Sequence, residues 1–568
     1  MSLRIRKAHA AELIIAGGLL VFGVWLLFGR LGDAALHDGD EALYATVALE
    51  MTTSGNWLTP HYWGEPFLNK PPLQYWLTAL AYKYVPGTIE FRARFPSALA
   101  GLLLLGLVYW TARRLAGTAA GVAATLILLL NNQFLFEHAA RSANLDALVM
   151  LLCFAGLVCG AYAHVGRWPM IASAVSISWV MMVKSPLAVF PLISVLVYQL
   201  LIDRRRARVW LACLVVSVLV FVLPWHLYQF WKHGAAFWNT YFLYEIGGRL
   251  GSAVTEYTSR FTHLEAFWQS FLPWSPLLAA AAVASLAGWP GGLRAPVQQR
   301  AILRLLAAYA TLLFVALCFA SSKWPWYGLP AYTALVVVGV VWVFCALDTK
   351  WRLAVPLTMS ALAIAYIMFF DPNPVYAPAA RPSYLWPGKT TLMWFAEKPP
   401  TPMEWITAIG TVVGGAALPL LRQSRRVLEI ATVVAMMSIF SVSARTIMAV
   451  PKEYDGVARQ LADELEGRRI EAVYLIGFPH LSWYNDRMEP LTSFYFHTVR
   501  GAEVTDCQWD IGCIPKDPPK RSVLVVHAHA IAQPDALRKL AASLPQNGNR
   551  MEIWTIDPGS GGSYHRVR

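Results

Sequence analysis

Three carboxylates crowd into four residues near the amino terminus, in the segment His37-Asp38-Gly39-Asp40-Glu41. Carboxylates this close repel one another unless they are solvated, protonated or paired with a cation. Such crowding can supply a carboxylate that accepts a proton during a reaction. The same residues could instead form a solvated loop, with an acidic cap for the helix that begins near Glu41. The residue types leave both interpretations open.

A lysine at position 70 is the second candidate, in the segment Asn69-Lys70-Pro71-Pro72. Proline disfavours helical geometry at the residue before it, so Lys70 is held ahead of the next helix. Its ammonium could meet a lipid phosphate there. The alternative is a lysine that merely extends to a membrane interface.

Further polar groups lie at the ends of apolar segments: Arg141, Asp146, Lys184, Glu245, Arg249, Lys323 and Tyr327. Ionisable groups in or beside a membrane are costly, so they are functional candidates by default. Each alone is more often a helix-end anchor or a structural ion pair. Gathered on one face, acidic and basic groups together would suit an anionic lipid and a sugar.

The elements that must position these groups are apolar. Hydrophobic residues make up 57% of the 568 residues and charged residues 14%, against roughly 25% charged in soluble domains. The mean hydropathy is +0.45, so lipid must solvate part of the surface. This composition excludes a cytosolic enzyme, a disordered chain and a disulfide scaffold. It predicts an all-α polytopic membrane protein.

Hydropathy predicts about 13 transmembrane helices. They fall near 11–29, 96–112, 117–135, 147–164, 169–183, 187–202, 209–226, 264–288, 303–320, 329–347, 353–370, 403–421 and 427–447. With a cytoplasmic amino terminus, nearly every short basic loop falls on the cytoplasmic side, as the positive-inside rule requires. The long segments 30–95, 136–146, 227–263 and 371–402 then lie outside. The apolar stretch 73–86 is short for a crossing, so we expect a helix at the outer membrane surface with Trp76, Tyr82 and Tyr84 near the headgroups.

The tail changes character at residue 451. Helical periodicity, strand-like EAVYLIGF and RSVLVVHA, and a second helical stretch predict a small α/β domain over 451–568. It carries 14 Lys/Arg and 15 Asp/Glu, so the net charge of +13 arises among the membrane segments. That charge is an orientation signal, and nucleic acid is not an expected partner. Outside the membrane, Cys507 and Cys513 are disulfide candidates.

Four motifs carry a resemblance to a known family. They are Asp-Glu-Ala-x-Tyr-Ala from Asp40, Lys-Pro-Pro-Leu-x-Tyr-Trp from Lys70, Arg-x-Pro-Ser-Ala-Leu from Arg94, and Lys-x-x-x-Tyr-x-Leu-Pro from Lys323. Their order and spacing resemble the protein mannosyltransferase-like and aminoarabinose transferase-like enzymes, which are membrane glycosyltransferases of the GT-C fold. The resemblance covers about residues 10–450.

The resemblance implies transfer of a sugar, with inversion, from a polyprenyl-phosphate donor on the periplasmic face of the bacterial inner membrane. Asp40 matches the acidic residue that acts at the acceptor, Glu41 belongs to the same motif, and Asp146 matches an acidic position of the second outer loop. Lys70 and Arg249 match phosphate-binding positions, and Tyr44 is placed with them. We assign further residues to substrate binding: Asp38, Asn69, Glu245, Lys323 and Tyr327.

Two positions depart from the family pattern. The aminoarabinose transferases usually have Glu where this chain has Asn69, and commonly His where it has Ile246. In those enzymes, this Glu and this His are implicated in a metal site. The sequence therefore predicts no cofactor and no bound divalent metal, and it favours a neutral sugar or a different lipid over aminoarabinose.

The acceptor is less constrained than the donor. The form of the Asp40 motif resembles the lipid A-modifying branch, so a lipid A, lipopolysaccharide or other envelope glycan acceptor is expected. The alternative is a protein O-glycosyltransferase with a Ser or Thr acceptor. A lipid-linked sugar transporter or flippase would also explain the spans, but the sequence has no internal repeat of the kind common in transporters. We expect a monomer that contacts membrane lipids, with the tail periplasmic.

Overall fold

The computed structural model describes the chain in two parts. The first covers 2–36, 39–129, 131–135, 138–248, 259–271, 274–288 and 296–346. The second covers 457–476, 480–481, 487–488, 494–495, 497–498, 502–507, 513–515, 518–519, 521–527, 552–557 and 563–566. The predicted spans at 353–370, 403–421 and 427–447 lie outside the described residues. So does the predicted helical stretch near 534–544.

The first half of the membrane part is helical, with one small hairpin. Its elements are α1 (Ser2–Phe28), α2 (Asp40–Ser54), β1 (His61–Tyr62), β2 (Glu65–Pro66), α3 (Leu73–Tyr84), α4 (Ile89–Ala116), α5 (Thr118–Leu129), α6 (Asn132–Leu135), α7 (Asp146–Ala161), α8 (Arg167–Lys184) and α9 (Val189–Ile202). A 3₁₀ turn, Ser185–Ala188, joins α8 to α9.

The second half continues as α10 (Arg204–Ser217), a π-helical segment (Val218–Val222), α11 (Leu223–His233), α12 (Ala235–Phe237) and a longer π-helical segment (Trp238–Gly248). Then come α13 (Thr262–Ser270), α14 (Ser275–Ala287), α15 (Val297–Phe319), a 3₁₀ turn (Pro325–Gly328) and α16 (Leu329–Ala346). The ten predicted spans up to residue 347 all fall on these helices.

Five of the described helical stretches are long and apolar enough to cross a membrane, and a sixth is possible if the bent pair α13–α14 forms one span. One of the five, Arg167–Ile202, runs for 36 residues. It folds back at Ser185–Ala188, because Ser173 near the start of α8 and Gln199 near the end of α9 bond to neighbouring turns of α7. Their acceptors are the carbonyls of Gly156 and Gly160, at 2.8 and 2.5 Å. The stretches predicted at 169–183 and 187–202 thus coincide with two separate helices, α8 and α9.

The helix predicted within 73–86 is confirmed as α3, and it is not among the stretches long enough to cross. Its aromatic residues differ from expectation. Tyr82 is 8% exposed, and its hydroxyl donates to the Ala45 carbonyl of α2 at 3.3 Å. The Trp76 indole donates to the Trp57 carbonyl at 2.6 Å. These rings hold α3 against the protein, whereas Tyr84 at 69% exposure remains at the surface.

The described tail contains a helix and a mixed sheet. Helix α17 (Val457–Gly467) precedes β3 (Ala472–Ile476), β4 (His480–Leu481), β5 (Arg487–Met488), β6 (Glu503–Asp506), β7 (Ser522–His527), β8 (Glu552–Asp557) and β9 (Ser563–Arg566). The main sheet has the order β6-β3-β7-β8-β9, parallel except for β9. The strands predicted at EAVYLIGF and RSVLVVHA are β3 and β7. Consecutive residues of β7 from Val523 to Val526 are buried, as expected of a strand covered on both faces.

Candidate functional site

The acidic motif begins helix α2, and its second carboxylate is buried. Glu41 is 2% exposed and pairs with the Arg94 guanidinium of α4, at 2.8 and 3.1 Å to its two oxygens. The Ala143 amide also donates to Glu41, at 2.8 Å. This carboxylate therefore joins α2 to α4 and to the loop before α7. Such a role differs from both sequence interpretations of the motif, a free base and a solvated cap.

Arg94 also fixes the loop that leads into the motif. Its guanidinium donates to the carbonyls of Leu31, Ala34 and Ala35 at 2.9, 2.8 and 2.7 Å. Because one buried side chain holds both the loop and Glu41, the position of the neighbouring Asp40 is set by α4.

Asp40 is the first residue of α2 and is half-buried. Within the described chain its carboxylate has neither a hydrogen bond nor an ion pair. Its charge reaches Tyr75 on α3, a residue with 0% exposure. Burial raises the pKa of the Tyr75 phenol well above its usual value, and the charges of Asp40 and Glu245 raise it further. Of the two described carboxylates of the motif, Asp40 is thus the available one.

The Tyr75 hydroxyl is buried and has no hydrogen-bond partner among the described atoms. The carbonyl oxygen of the Asn69 side chain is likewise buried without a hydrogen-bond partner among the described atoms. Buried polar groups without partners are rare and cost about 1–3 kcal/mol each. Two of them beside Glu245 indicate a place that a polar ligand can complete.

Lys70 lies where the two prolines hold it, at the start of α3. Its ammonium donates to Glu245 on the second π-helical segment. The Asn69 amide nitrogen donates to the other oxygen of Glu245 at 3.1 Å. The side chains of Lys70 and Glu245 are 12% and 7% exposed, so this is a nearly buried ion pair. The structure thus brings together three predicted site residues from two distant parts of the sequence.

A second ion pair lies at the start of α7. Asp146 is 2% exposed, and its two oxygens face the Lys184 ammonium at 2.9 Å and the His138 imidazole at 3.8 Å. The Lys184 ammonium also lies over the Tyr327 ring, 4.6 Å from its centroid. Asp146 and Tyr327, both predicted site residues, therefore share one lysine.

Aromatic rings border this second pair. The His138 imidazole stacks on Trp326 with centroids 3.8 Å apart, and Trp326 stacks on Trp324 at 4.8 Å. His138 has a φ of 65°, in a region that residues with a side chain rarely adopt.

The two ion pairs belong to one site. Tyr241 shares a hydrogen bond with Ser185, the residue after Lys184, and its pKa is raised by burial and also by the charge of Glu245. The hydrogen bond from the Ala143 amide to Glu41 also brings the Asp40 motif to the loop that precedes α7. The ring of contacts therefore runs from Asp40 through Glu245 to Asp146.

Several predicted residues have other surroundings. Lys323 is 6% exposed, and its ammonium donates to the Leu317 and Cys318 carbonyls at 3.1 and 3.0 Å, which caps α15. Tyr44 is 6% exposed, with its ring 5.7 Å from that of Tyr75. Asp38 and Arg249 lie outside the described residues.

The disulfide candidates lie together in the tail. Cys507 and Cys513 are joined, with their Cα atoms 5.5 Å apart.

The described side chains around Asn69 form hydrogen bonds with one another. The Glu245 carboxylate is held by the Lys70 ammonium and the Asn69 amide, both of which are donors. Elsewhere in the described ranges, no group of three or more His, Cys, Asp or Glu side chains could hold a metal ion.

Sequence reasoning assigned no site role to three residues that the structure places in the site: Arg94, Tyr75 and His138. Arg94 and Tyr75 lie in recognised motifs, and those motifs were the available signal. His138 stands alone in its segment, and only the fold brings it to Asp146. No sequence pattern could have identified it.

Comparisons with known proteins agree with this architecture. A family model described as dolichyl-phosphate-mannose-protein mannosyltransferase matches residues 24–241. A protein of Edwardsiella ictaluri (strain 93-146), named undecaprenyl phosphate-alpha-4-amino-4-deoxy-L-arabinose arabinosyl transferase, is 30% identical over 58% of this chain and 59% of its own. A protein of Proteus mirabilis (strain HI4320) that has the same name followed by the number 2 is 25% identical over 63% of this chain and 66% of its own. The first of these alignments spans less than two thirds of the relative.

Solved structures extend the likeness to nearly the whole chain. The crystal structure of ArnT from Cupriavidus metallidurans bound to undecaprenyl phosphate has a TM-score of 0.65 at 21% identity, covering 95% of this chain and 93% of that one. Its apo state gives 0.67, covering 97% and 93%. The Archaeoglobus fulgidus oligosaccharyltransferase gives 0.50 at 10% identity, covering 96% and 69%. These matches show the fold.

Proposed function

We propose that this chain, a multi-pass membrane protein with the GT-C fold and of the aminoarabinose transferase-like kind, is a glycosyltransferase. It moves a sugar from a polyprenyl-phosphate donor to lipid A, lipopolysaccharide or another envelope glycan. The names of the relatives support this class of donor. One observation carries the proposal. A carboxylate without a hydrogen bond or ion pair, Asp40, and a nearly buried lysine that pairs with Glu245, Lys70, both lie near Tyr75.

The roles follow from the chemistry of transfer. The acceptor hydroxyl oxygen forms a bond to the anomeric carbon, and the bond from that carbon to the phosphate oxygen breaks. Its electron pair stays on the polyprenyl phosphate, whose growing charge Lys70 is placed to stabilise. The hydroxyl proton goes to Asp40, and Glu41 holds that residue through Arg94. Arg249 is proposed as a second phosphate ligand, and Asp146 as a group that orients the acceptor through Lys184 and His138.

The sugar is proposed to be neutral, and the reaction to need no divalent metal. Asn69 brings an amide where a carboxylate would favour an ammonium on the sugar. Its unpartnered carbonyl oxygen can accept a hydrogen bond from a sugar hydroxyl. Inversion at the anomeric carbon is proposed because, among the described residues of the acidic motif, Asp40 is the carboxylate without a hydrogen bond or ion pair, and one such base suits a single displacement.

The membrane arrangement is also proposed. The basic loops place the amino terminus in the cytoplasm, and the site and the tail then lie on the periplasmic side. The protein is proposed to act as a monomer in the bacterial inner membrane.

A second candidate function is protein O-glycosylation. It is favoured by the family model over residues 24–241, whose description names a protein as the acceptor. The donor chemistry is the same in both, so only the acceptor distinguishes them. A flippase is less supported, because the site combines a carboxylate and a phosphate-binding lysine in the way that transfer requires.

The test uses Asp40→Asn, which removes the base and keeps the shape. We expect transfer from a polyprenyl-phosphate sugar to isolated lipid A to be lost, while undecaprenyl phosphate still binds. Asp203→Asn is the matched control, because Asp203 caps α10 and Asn caps a helix equally well. Turnover by Asp40→Asn at the rate of the unmodified protein would remove Asp40 from the mechanism. Transfer to peptide in place of lipid A would select the second candidate.

A further inference from the structure

Glu245 is bonded to the very lysine that the proposed reaction needs. Its two oxygens accept from the Lys70 ammonium and from the Asn69 amide at 3.1 Å. A donor phosphate that approached Lys70 would find the ammonium already paired with a carboxylate. Glu245 is expected from its position to bind substrate, but a carboxylate repels a phosphate.

The Lys70–Glu245 ion pair is nearly buried, so each charge depends on the other. With side-chain exposures of 12% and 7%, neither charge is well solvated. Removing one partner of a buried pair is costly unless another charge of the same sign replaces it. A phosphate oxygen can replace the Glu245 oxygen on Lys70, and the Tyr75 hydroxyl offers a donor near the displaced carboxylate.

We infer that Glu245 is an internal anion that competes with the phosphate for Lys70 and so promotes release of the polyprenyl phosphate product. This inference rests on the proposed function. The carboxylate gives up Lys70 when the donor binds and returns to it when the product leaves. Glu245 thus acts on phosphate binding and on product release.

The charge change during transfer explains why such a competitor is useful. The phosphate of the donor is a diester with one negative charge. Once the bond to the anomeric carbon breaks, it is a monoester with a charge of about −1.5 to −2 at pH 7. Lys70 therefore holds the product more strongly than the donor. A neighbouring carboxylate weakens both complexes, and it weakens that of the more highly charged product most.

The experiment measures binding of two probes to the full-length protein in detergent, undecaprenyl phosphate and the uncharged undecaprenol. Glu245→Gln keeps the shape and one acceptor oxygen but removes the charge. We expect undecaprenyl phosphate to bind about tenfold tighter or more, since close charge pairs couple strongly, and undecaprenol to bind unchanged. Inhibition of transfer by added undecaprenyl phosphate should strengthen by a similar factor.

A second variant guards against a folding defect in Glu245→Gln. Asn69→Ala keeps both charges but removes the amide that holds Glu245 toward Lys70, and we expect tighter binding of undecaprenyl phosphate, by a smaller factor. Weaker or unchanged binding in a folded Glu245→Gln would overturn the inference, because Glu245 would then merely orient Lys70. If Lys70→Ala bound undecaprenyl phosphate as tightly as the unmodified protein does, the proposed function itself would fail. Loss of binding in Lys70→Ala alone would leave that function standing.

Discussion

Glu41 illustrates how a catalytic-looking residue can be committed to structure. Replacing it by Gln leaves the buried Arg94 guanidinium without its paired carboxylate, so we expect a loss of about 3–5 kcal/mol in the free energy of unfolding. Glu12→Gln is the matched control, because Glu12 pairs with Arg113 at about one third exposure of both side chains. Such exposed pairs contribute about 0–1 kcal/mol. Denaturant titration in detergent compares the two, and equal losses would contradict the structural role of Glu41.

Replacement of Tyr75, unlike that of Glu41, should affect transfer and leave stability intact. Its hydroxyl is buried and without a partner among the described atoms, so Tyr75→Phe removes an unsatisfied polar group and should leave the melting temperature unchanged or raised. We expect transfer to fall if that hydroxyl serves the ligand. Thermal unfolding and initial rates on the same preparation separate the two effects. A lowered melting temperature with normal transfer would show that the hydroxyl is structural.

At the residue scale, the sequence was a better guide to the residues of the site than to the partners that those residues bond. Lys70, Asp146 and Glu245 were identified because charged groups among apolar segments are unusual. Their bonds to Asn69, Lys184 and His138 depend on separations that no local pattern contains. The acidic motif could not be divided into one available and one engaged carboxylate without Arg94, which only the packing of α2 on α4 supplies.

The fold-back of α8 and α9 depends on a small residue in α7. A Cβ atom at Gly160 would lie 2.7 Å from two Val195 carbons and 3.1 Å from the Ser173 hydroxyl. Gly160→Val should therefore force the hairpin away from α7, lower the melting temperature, and disturb the turn that carries Lys184. Gly106→Val is the matched control, since a Cβ at Gly106 meets nothing within 4 Å. Similar melting temperatures for the two variants would show that α7 does not hold the hairpin.

Among the elements, the apolar helices were predictable because each needs about 20 apolar residues to cross a bilayer. The break at Ser185–Ala188 was also predictable, from Pro186 and from the basic loop that follows α9. The π-helical segment Trp238–Gly248 was not predictable, since its sequence resembles that of an ordinary helix end. This segment presents Glu245 to Lys70, so the least predictable element carries a central part of the site.

On the scale of the whole molecule, the tail holds the loop before Asp40. The Tyr495 hydroxyl accepts from the Leu36 amide at 2.8 Å and donates to Glu90 at the start of α4, at 3.2 Å. Arg459 of α17 also pairs with Glu90, at 3.2 Å. Hydropathy separated the tail from the membrane part at residue 451 but gave no sign of this junction. Its residues are ordinary in type, and Tyr495 and Glu90 lie 405 positions apart in the chain.

These contacts make the tail part of the machinery that positions Asp40. Tyr495→Phe leaves the Leu36 amide without its acceptor and removes one donor from Glu90, at a cost of about 1–3 kcal/mol. The 31–36 loop, which Arg94 also holds, should then loosen, so transfer should fall several-fold while binding of undecaprenyl phosphate, through Lys70, is retained. Tyr474→Phe is the matched control, because Tyr474 is a buried tyrosine within β3 of the tail. If both variants transfer sugar at the same rate, the tail does not control the position of Asp40, and the junction serves only to attach it.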